Sequence, residues 1–458
     1  MEDMTVKDIL SATGGRLLCG REDMVLEHIS IDSRTMKGND LFVPLIGERV
    51  DAHRFIDQAL EHKAAAVLTS EHNEAESQKP WIRVEDTKKA LQAIGSYYRK
   101  RLNLPLVGIT GSVGKTTTRE MVACALSAGF EVFKTPGNHN SQVGLPITIT
   151  EISKKDEIGV IELGMSEPGE LTVIARIASI QMAVITNIGI THIEQLGSQE
   201  NIYKEKLTIQ DGLCPGGILF LNGDDPLLKN TKAKEGCRTV YYGTGENCDY
   251  RAVDIRLEEG YPAFTALCRG KKIPLKLGVM GEHNVGNAMV SLAVACECGV
   301  LAEEAARKLE GFTGFPGRQQ IYHTQGRTII DDTYNASPAS MKAGLSILSS
   351  VKEAKRRIAV LADMKELGEK SPLYHYEIGE YIADHPVDEL VTLGELAGEI
   401  ARAVKEKAPK ITVKEFLEPE ALTEYLKGEL KKEDAVLFKG SNSMKLSQVA
   451  WQFIKTDR

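Results

Sequence analysis

Residues 104–118 constrain the fold more than any other stretch of the chain. An apolar run, Leu104–Ile109, leads into Thr110-Gly-Ser-Val-Gly-Lys-Thr-Thr-Thr118. Beyond it, Met121/Ala125 and Val122/Leu126 recur at helical i,i+4 spacing. A buried strand, a glycine turn and a helix opening on Lys115 and Thr116 form a phosphate-binding loop. Its backbone N–H groups point inward, and the helix start adds partial positive charge. Lys115 is suited to the outer phosphates of a nucleotide, and the Thr116 hydroxyl to Mg²⁺. The strict pattern has a glycine where this chain has Ile109, so a plain strand–helix turn is the alternative. The cradle residues are Gly111, Ser112, Val113, Gly114, Lys115, Thr116 and Thr117.

A strand feeding such a loop belongs to a parallel sheet, and the flanking sequence repeats that theme. Apolar runs at Glu131–Thr135, Ile158–Leu163, Met182–Asn187 and Gly217–Leu221 alternate with helical stretches, as a doubly wound sheet requires. Ligands of such sheets bind at the carboxyl ends of the strands. Before Lys88, short helical and strand-like pieces make a small α+β unit: Thr5–Thr13, His28–Asp32, Asp40–Leu45, Phe55–His62 and Ala64–Leu68. Turn residues dominate Gly311–Gly317, marking a hinge. Strand-like runs then resume at Thr328–Asp331, Arg357–Ala362, Glu389–Leu393 and Ala435–Phe438. The expected class is α/β with three domains, in line with 458 residues at roughly 150 per domain. They are a small α+β N-terminal domain (1–86), a central phosphate-loop domain with a doubly wound, mostly parallel sheet (87–314), and a C-terminal Rossmann-like α/β domain (315–458).

Charge and cysteine content exclude several classes. A net charge of −8 argues against a nucleic-acid partner held by a basic surface. No apolar run reaches membrane-spanning length, and the acidic start Met1–Met4 lacks a signal-peptide pattern. Eight cysteines without a C-x-x-C pair fit free thiols in a reducing cytoplasm.

Polar residues at predicted strand ends carry the candidate chemistry. Glu162 offers the oxygen ligand a hard cation prefers. His192 and Lys206 lie beyond the next strand; taken alone, they read first as a hydrogen-bonded loop histidine and a solvated helix lysine. Asn284 and Asn287 precede a predicted helix, Ala288–Cys298, and fit either a base edge or a helix cap. Arg318, at the hinge, suits phosphates reached on domain closure, or a surface ion pair. Asp332, Tyr334 and Asn335 end a strand, where ligand contacts or an ordinary Asx turn occur.

Together these residues resemble the muramyl (Mur) ligase family, ATP-dependent amide-bond ligases of peptidoglycan precursor synthesis. The matching segments are Thr110–Thr118, Thr135–Asn138, Ile161–Met165, Thr186–Gly189 with His192, Lys206, Gly281–Asn287, Pro316–Arg318 and Asp331–Asn335. They follow the family's order and cover nearly the whole chain. His192–Ser198, Asp363–Gly368 with His375, and Phe438–Ser441 are similar to the members that add D-alanyl-D-alanine to a UDP-muramoyl tripeptide. A third-residue-adding muramyl ligase, a folylpolyglutamate-type synthetase and a non-catalytic ATP-binding scaffold are the rivals. The chain departs from the family at Ala52, Ser141, Ala362 and Asn442.

The resemblance implies catalytic roles for Lys115, Glu162, His192 and Lys206, and ATP contacts from Asn284, Asn287, Arg318 and Asp332. It implies two Mg²⁺ ions, one on Thr116 and Glu162, the other on His192 and a carbamylated Lys206. It implies substrate contacts at Ser33, Arg34, Asn138, Asn140, Tyr334 and Asn335. The expected partners are the UDP-muramoyl tripeptide and D-alanyl-D-alanine, with no nucleic acid and no membrane, and a monomer is the working expectation.

Overall fold

The computed structural model describes residues 1–454. Three main sheets follow one another along the chain. The first has five strands, with Ala64–Thr69 at its centre and Trp81–Arg83 and Asp40–Phe42 beside it. The helix before this sheet, Val6–Thr13, starts where expected because Thr5 and Asp8 form a reciprocal capping box. It ends because Gly14 turns left-handed at φ +65°.

The second sheet has nine strands. Leu106–Thr110 lies between Ile158–Glu162 and Ile180–Ile185, parallel to both. Every residue of Leu106–Thr110 and Ile158–Glu162 is buried, the burial that a sheet covered on both faces imposes. The chain runs to one side of Leu106–Thr110 and then crosses to the other, so the phosphate loop emerges at the switch point.

Past Leu213–Asn222 the sheet continues through elements absent from the sequence reading. Arg238–Gly243 adds in parallel, and Tyr250–Glu258, Tyr261–Cys268 and Lys271–Lys276 close that edge as an antiparallel meander. Its hairpins turn at Glu259-Gly260 and Arg269-Gly270, all four residues at positive φ.

The third sheet has six strands, with Asp434–Lys439 between Arg327–Asp332 and Arg356–Ala362, all parallel. Gln320–Thr324 pairs antiparallel at one edge, and Thr412–Phe416 forms the other. Neither edge strand was anticipated.

Apolar packing does not follow the three sheets one to one. A single cluster joins Val6, Ile9, Leu68 and Ile82 to Leu106, Leu145, Ile161 and Ile185, fusing the N-terminal unit to one face of the central sheet. The opposite face buries the helices Lys115–Leu126 and Asn284–Glu297. The third sheet has a cluster on each face. All eight cysteines are unbridged. Among the described residues, no helix is long and apolar enough to cross a membrane.

Candidate active site

The phosphate loop is held by the segment that ends the neighbouring strand. Thr186 Oγ1 and Asn187 Nδ2 donate to the Val113 carbonyl at 2.7 and 2.9 Å. Asn187 Oδ1 accepts from the Val113 amide at 3.0 Å, and Ser112 Oγ accepts from the Gly189 amide at 2.8 Å. Gly111 sits at φ +148°, where a Cβ would stand 1.8 Å from Thr186 Oγ1, so the loop's course against Thr186 demands glycine. Gly114, at φ +86°, starts the helix Lys115–Leu126. The Lys115 Nζ donates to the Gly111 carbonyl at 2.9 Å. Burial lowers the Lys115 pKa against the opposing pull of Glu162, and the Arg318 charge adds to the lowering.

Beneath the loop lies a buried carboxylate. Glu162 ends the adjacent strand and is 3% exposed. It accepts from Thr116 Oγ1 at 2.9 Å and Asn140 Nδ2 at 2.8 Å, with Arg119 Nη1 at 3.5 Å. The Arg119 guanidinium is shared with Glu120 at 2.6 Å and the Gly137 carbonyl at 2.9 Å. Burial is tolerable because each charge finds several partners. Asn140, expected on the substrate, thus turns its amide to Glu162. Arg119 drew no notice in the sequence, where it stands among Lys115, Thr116, Thr118 and Glu120 with nothing to mark it as buried.

His192 and Lys206 flank the same region. His192 adopts a left-handed conformation at φ +65° and ends the turn after Thr186–Gly189. Its Nδ1 stands 2.6 Å from Glu366 Oε2, a residue of the third sheet's layer. Lys206 lies on the helix Gln199–Leu207 and is 1% exposed, and its Nζ has no hydrogen-bond or ion-pair partner among the described residues. Burial and then the Lys115 charge push its pKa well below the ordinary lysine range. A solvated helix lysine is therefore excluded.

Asn284 and Asn287 lie within the helix Asn284–Glu297, which starts four residues earlier than expected. Neither caps it by accepting from its first turn. Asn284 Nδ2 donates to the Met280 carbonyl at 2.8 Å, and Asn287 bridges Asn284 at 2.9 Å and Thr118 Oγ1 at 3.0 Å. They tie this helix to the phosphate-loop helix.

The third layer meets the loop through Arg318. Its Nη2 donates to Thr116 Oγ1 at 3.1 Å, and its guanidinium stacks 3.8 Å over the Tyr334 ring. Its Nε is buried without a hydrogen bond. Asp332 is buried and accepts from Lys439 Nζ at 2.7 Å; Lys439 also donates to the Asn335 carbonyl at 3.0 Å. Both charged side chains are enclosed, so Lys439→Met strands the Asp332 carboxylate. We expect a loss of about 3–5 kcal/mol in thermal or denaturant unfolding. The double variant Lys439→Met/Asp332→Asn should recover much of it.

The expected substrate residues are more scattered. A cavity of about 1450 Å³ separates the N-terminal unit from the central sheet, with Ser30, Lys37, Asn138, His139 and Lys154 in its walls. Asn138 lines it; Ser33 and Arg34 do not. Arg34 makes a two-pronged contact with Asp32 at 2.9 and 2.7 Å on the surface, which draws the Asp32 carboxyl down to about 2. Ser33 Oγ donates to Gln58 at 3.3 Å. His375 is a buried pin between the Ser371 carbonyl, 2.7 Å from Nδ1, and the Met364 amide, 2.9 Å from Nε2.

A nucleotide loop backed by a buried carboxylate, with an arginine reaching over from a second α/β layer, suits ATP-dependent ligation between two domains, and the family matches and a relative 38% identical over 99% of the chain show that it belongs to the Mur ligases. Residues 109–295 match the Mur ligase middle domain, 317–442 the Mur ligase glutamate ligase domain, and 25–99 the Mur ligase family catalytic domain. The chain is 38% identical over 456 residues to the UDP-N-acetylmuramoyl-tripeptide–D-alanyl-D-alanine ligase of Bacillus subtilis, covering 99% of this chain and 98% of that one. It is 33% identical to the ligase of the same name from Haemophilus influenzae, over 95% of each chain. The crystal structure of MurF from Acinetobacter baumannii superposes with a TM-score of 0.89 at 28% identity, over 99% of both chains. MurF ligase from Thermotoga maritima in complex with ADP gives 0.80 at 30% identity, over 95% of this chain and 99% of that one.

Proposed function

We propose that the chain joins D-alanyl-D-alanine to a UDP-N-acetylmuramoyl tripeptide with ATP cleavage to ADP and phosphate. The observation that carries this reading is the meeting of three groups at Thr116: the phosphate loop, the buried Glu162 carboxylate and the Arg318 guanidinium from the other layer. Likeness over nearly the full length to ligases of that name supports the substrate pair.

An unactivated carboxylate is a poor electrophile. The tripeptide's terminal carboxylate attacks the γ-phosphorus, ADP departs, and an acyl phosphate remains. The dipeptide amine then attacks the acyl carbon, and phosphate leaves with one former carboxylate oxygen. The loop N–H groups and Lys115 hold the phosphates and spread their charge. Arg318 adds positive charge where the phosphoryl group transfers. Closure of the third layer over the loop excludes water that would hydrolyse the acyl phosphate.

The donor set fits the expected cations. Thr116 Oγ1 and Glu162 Oε2 are hard oxygen donors 2.9 Å apart, suited to Mg²⁺. Lys206, buried beside a like charge, is disposed to be a neutral amine, the form that adds CO₂ and releases a proton to become a carbamate. That carbamate and His192 would hold a second ion. Bound Mg²⁺ would offset the negative charge of the phosphates and the acyl carboxylate. Asn284, Asn287 and Asp332 contact the nucleotide, and Ser33, Arg34, Asn138, Asn140, Tyr334 and Asn335 the peptide precursor. The enzyme works as a cytoplasmic monomer.

Isotope tracing tests the reading. With ¹⁸O in the tripeptide's terminal carboxyl, the released phosphate should carry label, and ATP cleavage should need both substrates. Unlabelled phosphate, or brisk hydrolysis with neither substrate, would refute it. Replacing D-alanyl-D-alanine by single amino acids or glutamate separates the rival ligases.

A further inference from the structure

The stretch Asp363–Gly368 comes from the third layer yet reaches the central site. Its Glu366 carboxylate stands 2.6 Å from His192 Nδ1, at ion-pair distance but out of line for a hydrogen bond, and the buried Nδ1 has no hydrogen-bond partner elsewhere among the described residues. Both residues hold left-handed conformations, at φ +65° each, and Gly368, at φ +62°, packs against the Glu194 backbone. Two bulky residues in a conformation that costs each about 1 kcal/mol or more are a local expense that needs a return. The return visible here is the contact itself. With Nδ1 facing Glu366, Nε2 is the ring nitrogen left free for a ligand. A carboxylate on one nitrogen fixes the imidazole tautomer and ring orientation and raises the basicity of the other nitrogen.

We propose that Glu366 is a positioning residue for His192, presenting Nε2 to the second cation only when the third layer stands against the central sheet. Cation binding is thereby tied to domain closure. His192 is 14% exposed and Glu366 43%, so the pair stands where the third layer meets the solvent-facing edge of the central site. The inference rests on the reading of His192 as a cation ligand, and the experiment separates the two.

Mn²⁺ binding is titrated by electron paramagnetic resonance on the full chain with UDP-tripeptide and a non-hydrolysable ATP analogue. Glu366→Ala, Glu366→Gln and His192→Ala are compared with the parent. Glu366→Ala should weaken the second Mn²⁺ about 10–100-fold. Glu366→Gln, which keeps an oxygen acceptor for Nδ1–H, should recover most of that loss. Metal-free ADP affinity should stay unchanged in both. Unchanged Mn²⁺ affinity in Glu366→Ala overturns the proposal, as does an equal loss of metal-free ADP affinity, the mark of a mere adhesive between layers. Tighter nucleotide binding in Glu366→Ala also overturns it, since Glu366 would then be an occluding anion. Full Mn²⁺ affinity in His192→Ala removes the cation reading and the proposal together; loss there with no loss in Glu366→Ala removes the proposal alone.

Discussion

Lys206→Ala is expected to lower ligase turnover about 10³-fold, the scale on which lost transition-state charge stabilisation is felt. Formate or acetate should restore part of the rate, because a small carboxylate supplies the oxygens a carbamate would have offered. The same side chain burdens the resting protein. It is 1% exposed, lies near Lys115, and its pKa is lowered by burial first and by that charge second. The unfolded chain therefore binds a proton that the folded chain binds less firmly. Between its lowered value in the folded chain and the ordinary lysine pKa of about 10.4, stability then rises with pH. Lys206→Met removes the buried amine, so it should melt above the parent without substrates and have a shallower pH slope, Lys115 and Lys439 keeping theirs, while remaining inactive. Calorimetry across pH 7–10 reads both effects. Full activity in Lys206→Ala, or a Met variant that melts lower, would contradict this account.

Gly111→Ala should be nearly as damaging to activity. A Cβ at this position would fall 1.8 Å from Thr186 Oγ1 and 3.1 Å from the Thr186 amide nitrogen. One of these is backbone, so rotation of Thr186 cannot clear it. We expect about 1–3 kcal/mol of destabilisation from the clash and about 1–3 kcal/mol from a φ of +148° imposed on alanine. The displaced loop would misalign its N–H groups, so nucleotide affinity should fall at least about 10²-fold. Fluorescent-nucleotide titration and thermal unfolding measure the two losses. Gly114→Ala makes an informative comparison. A Cβ there meets nothing nearer than 3.5 Å, so backbone strain alone should act and the loss should be smaller.

Much of this site was legible because strand-to-loop junctions leave a strong mark on sequence. The apolar run before Gly111 and the Gly-Lys-Thr after it identified both the loop and its place in a parallel sheet. Glu162 was legible for the same reason, at the end of the adjacent strand. What escaped depends on packing between distant segments. The meander from Tyr250 to Lys276 alternates half-buried polar and apolar residues, and its hairpins turn on Glu259-Gly260 and Arg269-Gly270 rather than on the commoner Asn-Gly or Asp-Gly. The hydrogen bond from the Asn140 amide to Glu162, which joins residues 22 apart in sequence, had no local signal. Lys439 and Glu366 lay in quoted motifs without a role, since nothing in their own neighbourhood announces partners about a hundred or more residues away. Asn284 and Asn287 read as cap or base contact, and the structure adds an alternative that periodicity could not offer, a strut between two helices.

Mechanically, three sheets make two bodies. The apolar cluster running from Met4 to Leu228 welds the first sheet to the second, whereas the third has a cluster on each face and draws in only Met280, Ile190 and Tyr261 from the central unit. A cut near residue 86 would flay open a continuous oily seam and leave two insoluble fragments. A cut in the glycine-rich connector near residue 314 would part the chain along its natural crease, so reassembly of a working enzyme from two co-expressed pieces should succeed there and fail at the earlier boundary.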